Sequence, residues 1–220
     1  MIRDKKCRHG WVKLIKRKNE AAEHFMEFKA WFERQTGKKV KRYANDKGGE
    51  YVSKELREYL DAEGIEIWET NTDTPNENGL AERFVGMIKD MATTNHERSG
   101  LPIMFWDDAI EHAGVITPML PTSKFEDGQT PFEIIRGRKP KVSQLRPFGC
   151  QAIVYSSRET RRNTKSRAKG IEGVMIGYAI NRPGYKIYIP SSKKVIISRD
   201  GLLTRIHFLT RSYKKMRKKG

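Results

Sequence analysis

"NDKGGEYVSKELREYLDAEGIEIWE", residues 45–69, decides how this chain is read. It opens on an aspartate followed by two glycines, and Asp-x-Gly-Gly is also the composition of an ordinary turn, since glycine takes positive φ freely. The run "SKELREYLDAEG" after it has the texture of a helix, closed by Gly64. "IEIWE" (65–69) is then a strand, and "KVKRYAN" (39–45), just upstream, is a strand that delivers Asp46 at its end. Strand, helix, strand predicts an α/β layer with parallel pairing.

The pattern continues on both sides. "WVKLI" (11–15) alternates as a half-buried strand does. In "NEAAEHFMEFKAWFERQTG", Phe25, Phe28 and Phe32 recur at helical spacing and Gly37 ends the run. After the polar loop "TNTDTPNENG", a long helix is predicted from about Leu80 to Arg98. Another is predicted after Pro102, from about Phe105 to Thr117. From Thr122 to Arg146 the chain becomes a connector punctuated by Pro and Gly. Beyond it lie the short β-rich runs "CQAIVY", "GVMIGYA", "YKIYI" and "KVIIS", with turn signals such as "NRPG" (181–184) between them. Such runs predict a small barrel of roughly sixty residues.

The bulk properties narrow the partners. The 220 residues carry a formal charge of +17, unevenly spread. Residues 1–45 net +9, residues 46–145 net −8, and residues 146–220 net +16. A basic block of that size faces a polyanion, nucleic acid being the commonest, while a solvated tail is the other reading of residues 211–220. No apolar run approaches the roughly 20 residues of a membrane span. Cys7 and Cys150 are far apart and have no His/Cys cluster beside them, so they define neither a zinc site nor a disulfide framework. A reducing, intracellular setting is expected.

Asp46 finds a partner in Glu82, in "TPNENGLAERFVGMIKDM", with 35 residues between the two acids. One ends a strand and the other stands in the first turn of a helix returning to the same layer. Carboxylate oxygens are the ligands hard divalent cations prefer. Phosphoryl transfer through two metal ions needs them. The whole arrangement, "NDKGGEYVSKELREYLDAEGIE…TPNENGLAER", resembles the integrase core of copia-type long-terminal-repeat retrotransposons. That family reads R-x-D-N-G-G-E-Y and T-P-x-x-N-G-x-A-E-R, with 35 residues between the last two acids of its triad. The likeness continues through "LPIMFWDDAIEHA", "TPFEIIRGRKP" and "LRPFGCQA". It extends into "GIEGVMIGY" and "KKVIISRD", which are similar to the SH3-like domain that comes after the core, so that about residues 2–203 are covered.

The resemblance implies an RNase H-like core, lacking its first strand, over residues 1–121. It further implies a linker at 122–145, a small all-β SH3-like barrel at 146–205 and a basic tail at 206–220. It implies Asp46 and Glu82 as catalytic metal ligands, Mg²⁺ or Mn²⁺ as the ion, and the joining of element DNA ends to target DNA. A homo-oligomer and a location in the nucleus or a cytoplasmic virus-like particle are implied as well.

The chain departs from the family pattern in several places. No H-x-D-x-x-G-P segment supplies the upstream acid of the triad. "IRDKKCRHGWVKLIKRK" resembles the second-strand motif I-D-D-x-S-R-x-x-W-V, and aligning on Trp11 puts Asp4 at an aspartate outside the triad, a turn or strand-end residue. Arg3 and Lys5 replace usual apolar and acidic positions, and Ala44 stands where the family has Arg. These departures make a clipped or decayed copy the expectation, inactive in isolation. A non-catalytic nucleic-acid-binding relic is the alternative, and an RNase H-like nuclease the third reading.

Charge points to the candidate nucleic-acid contacts. Lys89 lies seven residues from Glu82 and shares its helix face. Arg83 is its neighbour. Arg158, Arg161, Arg162, Lys165, Arg167 and Lys169 crowd one predicted loop, where phosphate contacts would position a duplex without reading its bases. Trp11, Trp31, Trp68 and Trp106 fall on apolar periodicities and are expected in the core.

Overall fold

The computed structural model describes residues 1–17, 20–45, 53–69, 75–125, 127–155, 170–179, 182–199 and 202–208. Its first half is the expected α/β layer. Helix α1 (Glu20–Thr36) buries Ala22, Phe25 and Phe32 on one stripe and ends at Gly37, whose φ of 66° needs no side-chain strain. Helix α2 (Lys54–Ala62) starts at Ser53, whose hydroxyl accepts from the Leu56 N–H, and ends before Gly64 (φ 64°). Strands β3 (Arg42–Asn45) and β4 (Glu66–Glu69) pair in parallel, with Arg42 beside Glu66 and Ala44 beside Trp68. Alternation does the rest. Tyr43, Ile65 and Ile67 turn under the helices onto Phe25, Leu56 and Leu60, while Arg42, Glu66 and Trp68 face solvent.

The expected strand at 11–15 shrinks to a two-residue hairpin arm. Here β1 (Ile2–Arg3) and β2 (Gly10–Trp11) pair antiparallel, and Leu14 and Ile15 are exposed. No strand among the described residues lies beside 12–15, so the alternation there has no ladder to join.

Helix α3 (Pro75–Ser99) presents Phe84, Ile88 and Ala92 to the core at i, i+4 and i+8. Helix α4 (Trp106–Ile116) packs beside it through Ala109, Ile110 and Ala113. Within the connector, α5 (Pro131–Arg136) closes a capping box in which the Thr130 hydroxyl accepts from the Glu133 N–H while the Glu133 carboxylate accepts from the Thr130 N–H.

Strands β5 (Cys150–Tyr155), β6 (Gly170–Tyr178), β7 (Tyr185–Ile189), β8 (Lys194–Ser198) and β9 (Leu202–Phe208) form an antiparallel sheet in the order β8-β7-β6-β5-β9. Among the described residues this SH3-like sheet is open, where a closed barrel is expected. Its two faces pack differently. Val174 and Ile176 share a core with Phe84, Ile88, Phe105, Ala109 and Phe148, and Tyr188 packs against it. Helices thus cover one face of the sheet, while on the other Ala152, Val154, Ile187 and Ile189 pack together with Ile171 and Ile196 as a core of the sheet's own. Lys186 of β7 adds an ion pair to Glu111 (2.7 Å) and Asp108 (3.2 Å) of α4.

A second correction concerns the tryptophans. Trp31 and Trp68 are 40% and 36% exposed, and Trp11 and Trp106 are half-buried. Trp31 lies at the edge of its helix's apolar stripe and Trp68 alternates onto the outer face of β4, and each carries a cation. Arg136 lies 5.3 Å from the centre of Trp31, and Arg42 4.5 Å from that of Trp68.

Gly10 passes against the distal edge of the Phe84 ring, and a Cβ there would lie 2.0 Å from Phe84 Cζ. Gly10→Ala should therefore displace either the hairpin or the ring. Overpacking of this kind costs about 1–3 kcal/mol, read as a fall of several degrees in Tm by circular dichroism. An unchanged Tm would contradict the close approach.

His9 is buried, stacked on Trp11 with ring centres 4.2 Å apart, and burial pushes its pKa down to about 4. Unfolded, it takes up a proton near pH 6.5, so the unfolded chain binds more protons between pH 6.5 and 4. Stability should fall as pH drops through that window, by about 2 kcal/mol at pH 5 from this residue. Urea titrations of wild type and His9→Phe check this, the variant losing less stability between pH 6.5 and 5. Equal losses in the two proteins would contradict it.

Candidate active site

Glu82 stands on α3, two residues before Phe84 drives the helix into the core, and its side chain is exposed. The helix begins at Pro75, a residue with no N–H to leave unpaired in a first turn. Lys89, seven residues further on, is exposed as expected for the same face. Arg83 is exposed too, and its Nε donates to the Gly79 carbonyl (2.7 Å). With Gly86, Met87 and Asp90 it lines an open groove along α3.

The helix is held by the hairpin. Arg3 Nη1 donates to the Leu80 carbonyl (3.2 Å), and its guanidinium carbon lies 4.8 Å from the centre of the Phe84 ring. Burial and the nearby charges of Arg8 and Arg83 lower the Arg3 pKa from its ordinary value. In sequence Arg3 is only a departure from a family pattern, because its contact with a residue 77 positions away leaves no local trace.

The same hairpin reaches β4, the strand paired with β3. Lys5 Nζ lies 5.3 Å from the centre of Trp68, and Trp68 pairs with Ala44, two residues before Asp46. One hairpin therefore touches α3 two residues before Glu82 and β4, the partner of the strand that leads to Asp46. Asp46 itself lies outside the described residues. So do Arg158, Arg161, Arg162, Lys165, Arg167 and Lys169.

Asp4, between Arg3 and Lys5, is a turn former. Its carboxylate accepts from the Cys7 N–H (2.6 Å), its N–H donates to the His9 carbonyl (2.9 Å), and its own carbonyl accepts from Arg8 (3.1 Å). Burial, reinforced by Asp4, pushes the Cys7 thiol up to about 12, which removes it as a nucleophile at neutral pH. Among the described residues no three His, Cys, Asp or Glu side chains gather into a metal-binding group. Glu82 fits a hard cation in donor type and in exposure, but alone it is one ligand of the several such an ion needs.

A family model of the retroviral polymerase SH3-like domain matches residues 150–202, which here are strands β5 to β8 and the start of β9. Over 200 residues, 90% of the chain, it is 36% identical to the retrovirus-related Pol polyprotein from transposon TNT 1-94 of Nicotiana tabacum. It is 28% identical over 187 residues to the corresponding polyprotein from transposon RE2 of Arabidopsis thaliana, and 29% over 195 residues to the transposon Ty1-LR3 Gag-Pol polyprotein of Saccharomyces cerevisiae. The chain spans 15%, 12% and 11% of those three relatives. Among solved structures it is similar to the HTLV-2 integrase catalytic core domain in complex with magnesium, with a TM-score of 0.45 and 21% identity over 60% of this chain and 80% of that one. Residues 150–202 are thus a retroviral polymerase SH3-like domain, and the chain is a homologue of a segment of the Pol polyproteins of plant copia-type and yeast Ty1 transposons.

Proposed function

We propose that this chain is integrase machinery of a retrotransposon, a metal-dependent polynucleotidyl transferase core joined to a basic SH3-like domain. It would act on element DNA ends and target DNA, as an oligomer, in the nucleus or in a virus-like particle. The observation that supports the reading is the hairpin, whose Arg3 bonds α3 two residues before Glu82 and whose Lys5 lies over Trp68 of β4, the strand paired with the one that leads to Asp46. Asp46 and Glu82 would hold Mg²⁺ or Mn²⁺, and the ion would supply charge stabilisation to the attacking and leaving oxygens. Lys89, on the face of Glu82, would hold a phosphate of the DNA end. Arg83 and the basic residues from Arg158 to Lys169 would hold the duplex through its backbone.

Residues 1–220 by themselves would fall short of catalysis. Two carboxylates leave most positions of an ion to water, and Asp4 already has its carboxylate engaged by Cys7. Manganese titration should show one weakly bound ion per chain, with a Kd near the millimolar range, and Glu82→Gln should abolish it. Joining of a labelled donor end to plasmid DNA should be undetectable. Tight binding of two ions, or joining that Glu82→Gln abolishes, would show that the site is complete within these residues.

Binding of duplex DNA should be electrostatic and weaken steeply with salt, because phosphate contacts release counterions. Replacing Arg158, Arg161 and Arg162 by Gln tests the basic segment without removing Phe148, Val174 or Ile176 from the shared core. The slope of log affinity against log salt should become shallower by about 2–3 for three lost contacts. An unchanged slope would place the duplex elsewhere.

A further inference from the structure

Basic residues from three distant segments meet on one face of the first half of the molecule. Lys124 Nζ donates to the carbonyls of Lys5 (3.0 Å) and Lys6, and so joins the connector to the hairpin turn. Lys38, after α1, donates to the Ile134 carbonyl (3.3 Å) on α5. Arg136, two residues along, lies over Trp31. Cys7 of the hairpin turn packs with Ile135 of α5 and Phe32 of α1, which brings the Lys5–Lys6–Lys124 group beside the element that holds Lys38 and Arg136. At the other end Lys5 and Arg42 flank Trp68. The result is a stripe from Trp68 to Trp31, with Lys5, Lys6, Lys38, Arg42 and Lys124 all exposed.

The partners of these cations decide what the stripe can do. Arg42 is answered by Glu66 (2.8 Å) and the neighbouring Lys39 by Glu33 (3.1 Å). Lys38 and Lys124 are held by backbone carbonyls and Arg136 by an aromatic ring. Such partners orient a cation without cancelling its charge. Like charges gathered in this way repel, and a polyanion relieves the repulsion. The two exposed indoles narrow the choice of polyanion. A duplex hides its base faces, whereas a single strand offers them for stacking beside a phosphate backbone. Trp68 is the better platform, because it lies outside the apolar clusters of the described residues, while Trp31 leans on Trp11 and Phe28.

We infer that this stripe binds single-stranded nucleic acid, with phosphates on Lys38, Lys124 and Arg136 and a base on Trp68. The surface is separate from the groove of α3 and needs neither Glu82 nor a metal ion. It goes beyond the integrase reading and stands without it.

The test is fluorescence polarisation in EDTA, with a labelled 20-nucleotide oligo(dT) or oligo(U) and a labelled 20-base-pair duplex as the two probes. Lys38→Glu combined with Lys124→Glu should weaken single-strand binding at least tenfold. It should also make the salt slope shallower by about 1–2, at about 0.7 for each lost phosphate contact. Trp68→Ala should weaken single-strand binding by about fivefold or more, as loss of a stacked base does, and leave the duplex within twofold. Trp68→Phe keeps a ring and should restore most of the affinity, which separates stacking from lost packing. Wild-type single-strand affinity in the lysine variant would overturn the proposal. So would equal losses for single strand and duplex in Trp68→Ala. Because no metal is present and Glu82 is intact, failure here leaves the metal-site proposal untouched, and failure there leaves this one standing.

Discussion

The ring of Phe84 meets three parts of the chain at once. Gly10 of the hairpin lies against its edge, the Arg3 guanidinium covers a face, and the ring shares a core with Phe148, Val174 and Ile176 at the sheet. Each neighbour is small, flat or apolar for a reason. A side chain at residue 10 would collide with the ring, and a shorter cation than arginine would lose either the ring or the Leu80 carbonyl. The helix that carries Glu82 is thereby fixed between a hairpin on one side and a sheet on the other. A site built from acids on separate elements needs that rigidity, since metal ligands must hold their spacing while the substrate moves.

The contact also covers one face of the sheet, whose other face packs on itself through Ala152, Val154, Ile187 and Ile189. Small sheets either close or find a cover, because a bare apolar face is unstable in water. Here α4 lies across β6 and β7, and Lys186 ties the packing down with paired carboxylates on the helix. The retroviral polymerase SH3-like domain is therefore joined to the helices by a continuous core as well as by the chain itself.

Much of the local structure was legible in the sequence. Helices α1 and α2, with Gly37 and Gly64 behind them, come from periodicity and glycine's freedom at positive φ, both of which act within a few residues. The parallel pairing of β3 and β4 comes from the strand–helix–strand order. The hairpin was not legible, because two-residue arms carry no period, and Arg3 earns its place through Leu80. Trp31 departs from the expectation because periodicity marks a face and not its rim, and Trp68 because it alternates with Ile67 onto the outer face of its strand. The basic stripe was hidden for the same kind of reason, as Lys124 and Lys5 are 119 residues apart. The spacing of Asp46 and Glu82 was plain in the sequence, and the hairpin links α3 to β4, the strand paired with β3.

The central claim is that α3 and the sheet share one core with Phe84 at its centre, and native-state hydrogen exchange tests it directly. Amides of residues 84–92 in α3 and 174–176 in β6 should be protected to the same free energy in the wild-type protein. In Phe84→Ala both sets should lose protection together. Full wild-type protection in β6 beside a loosened α3 would contradict the shared core.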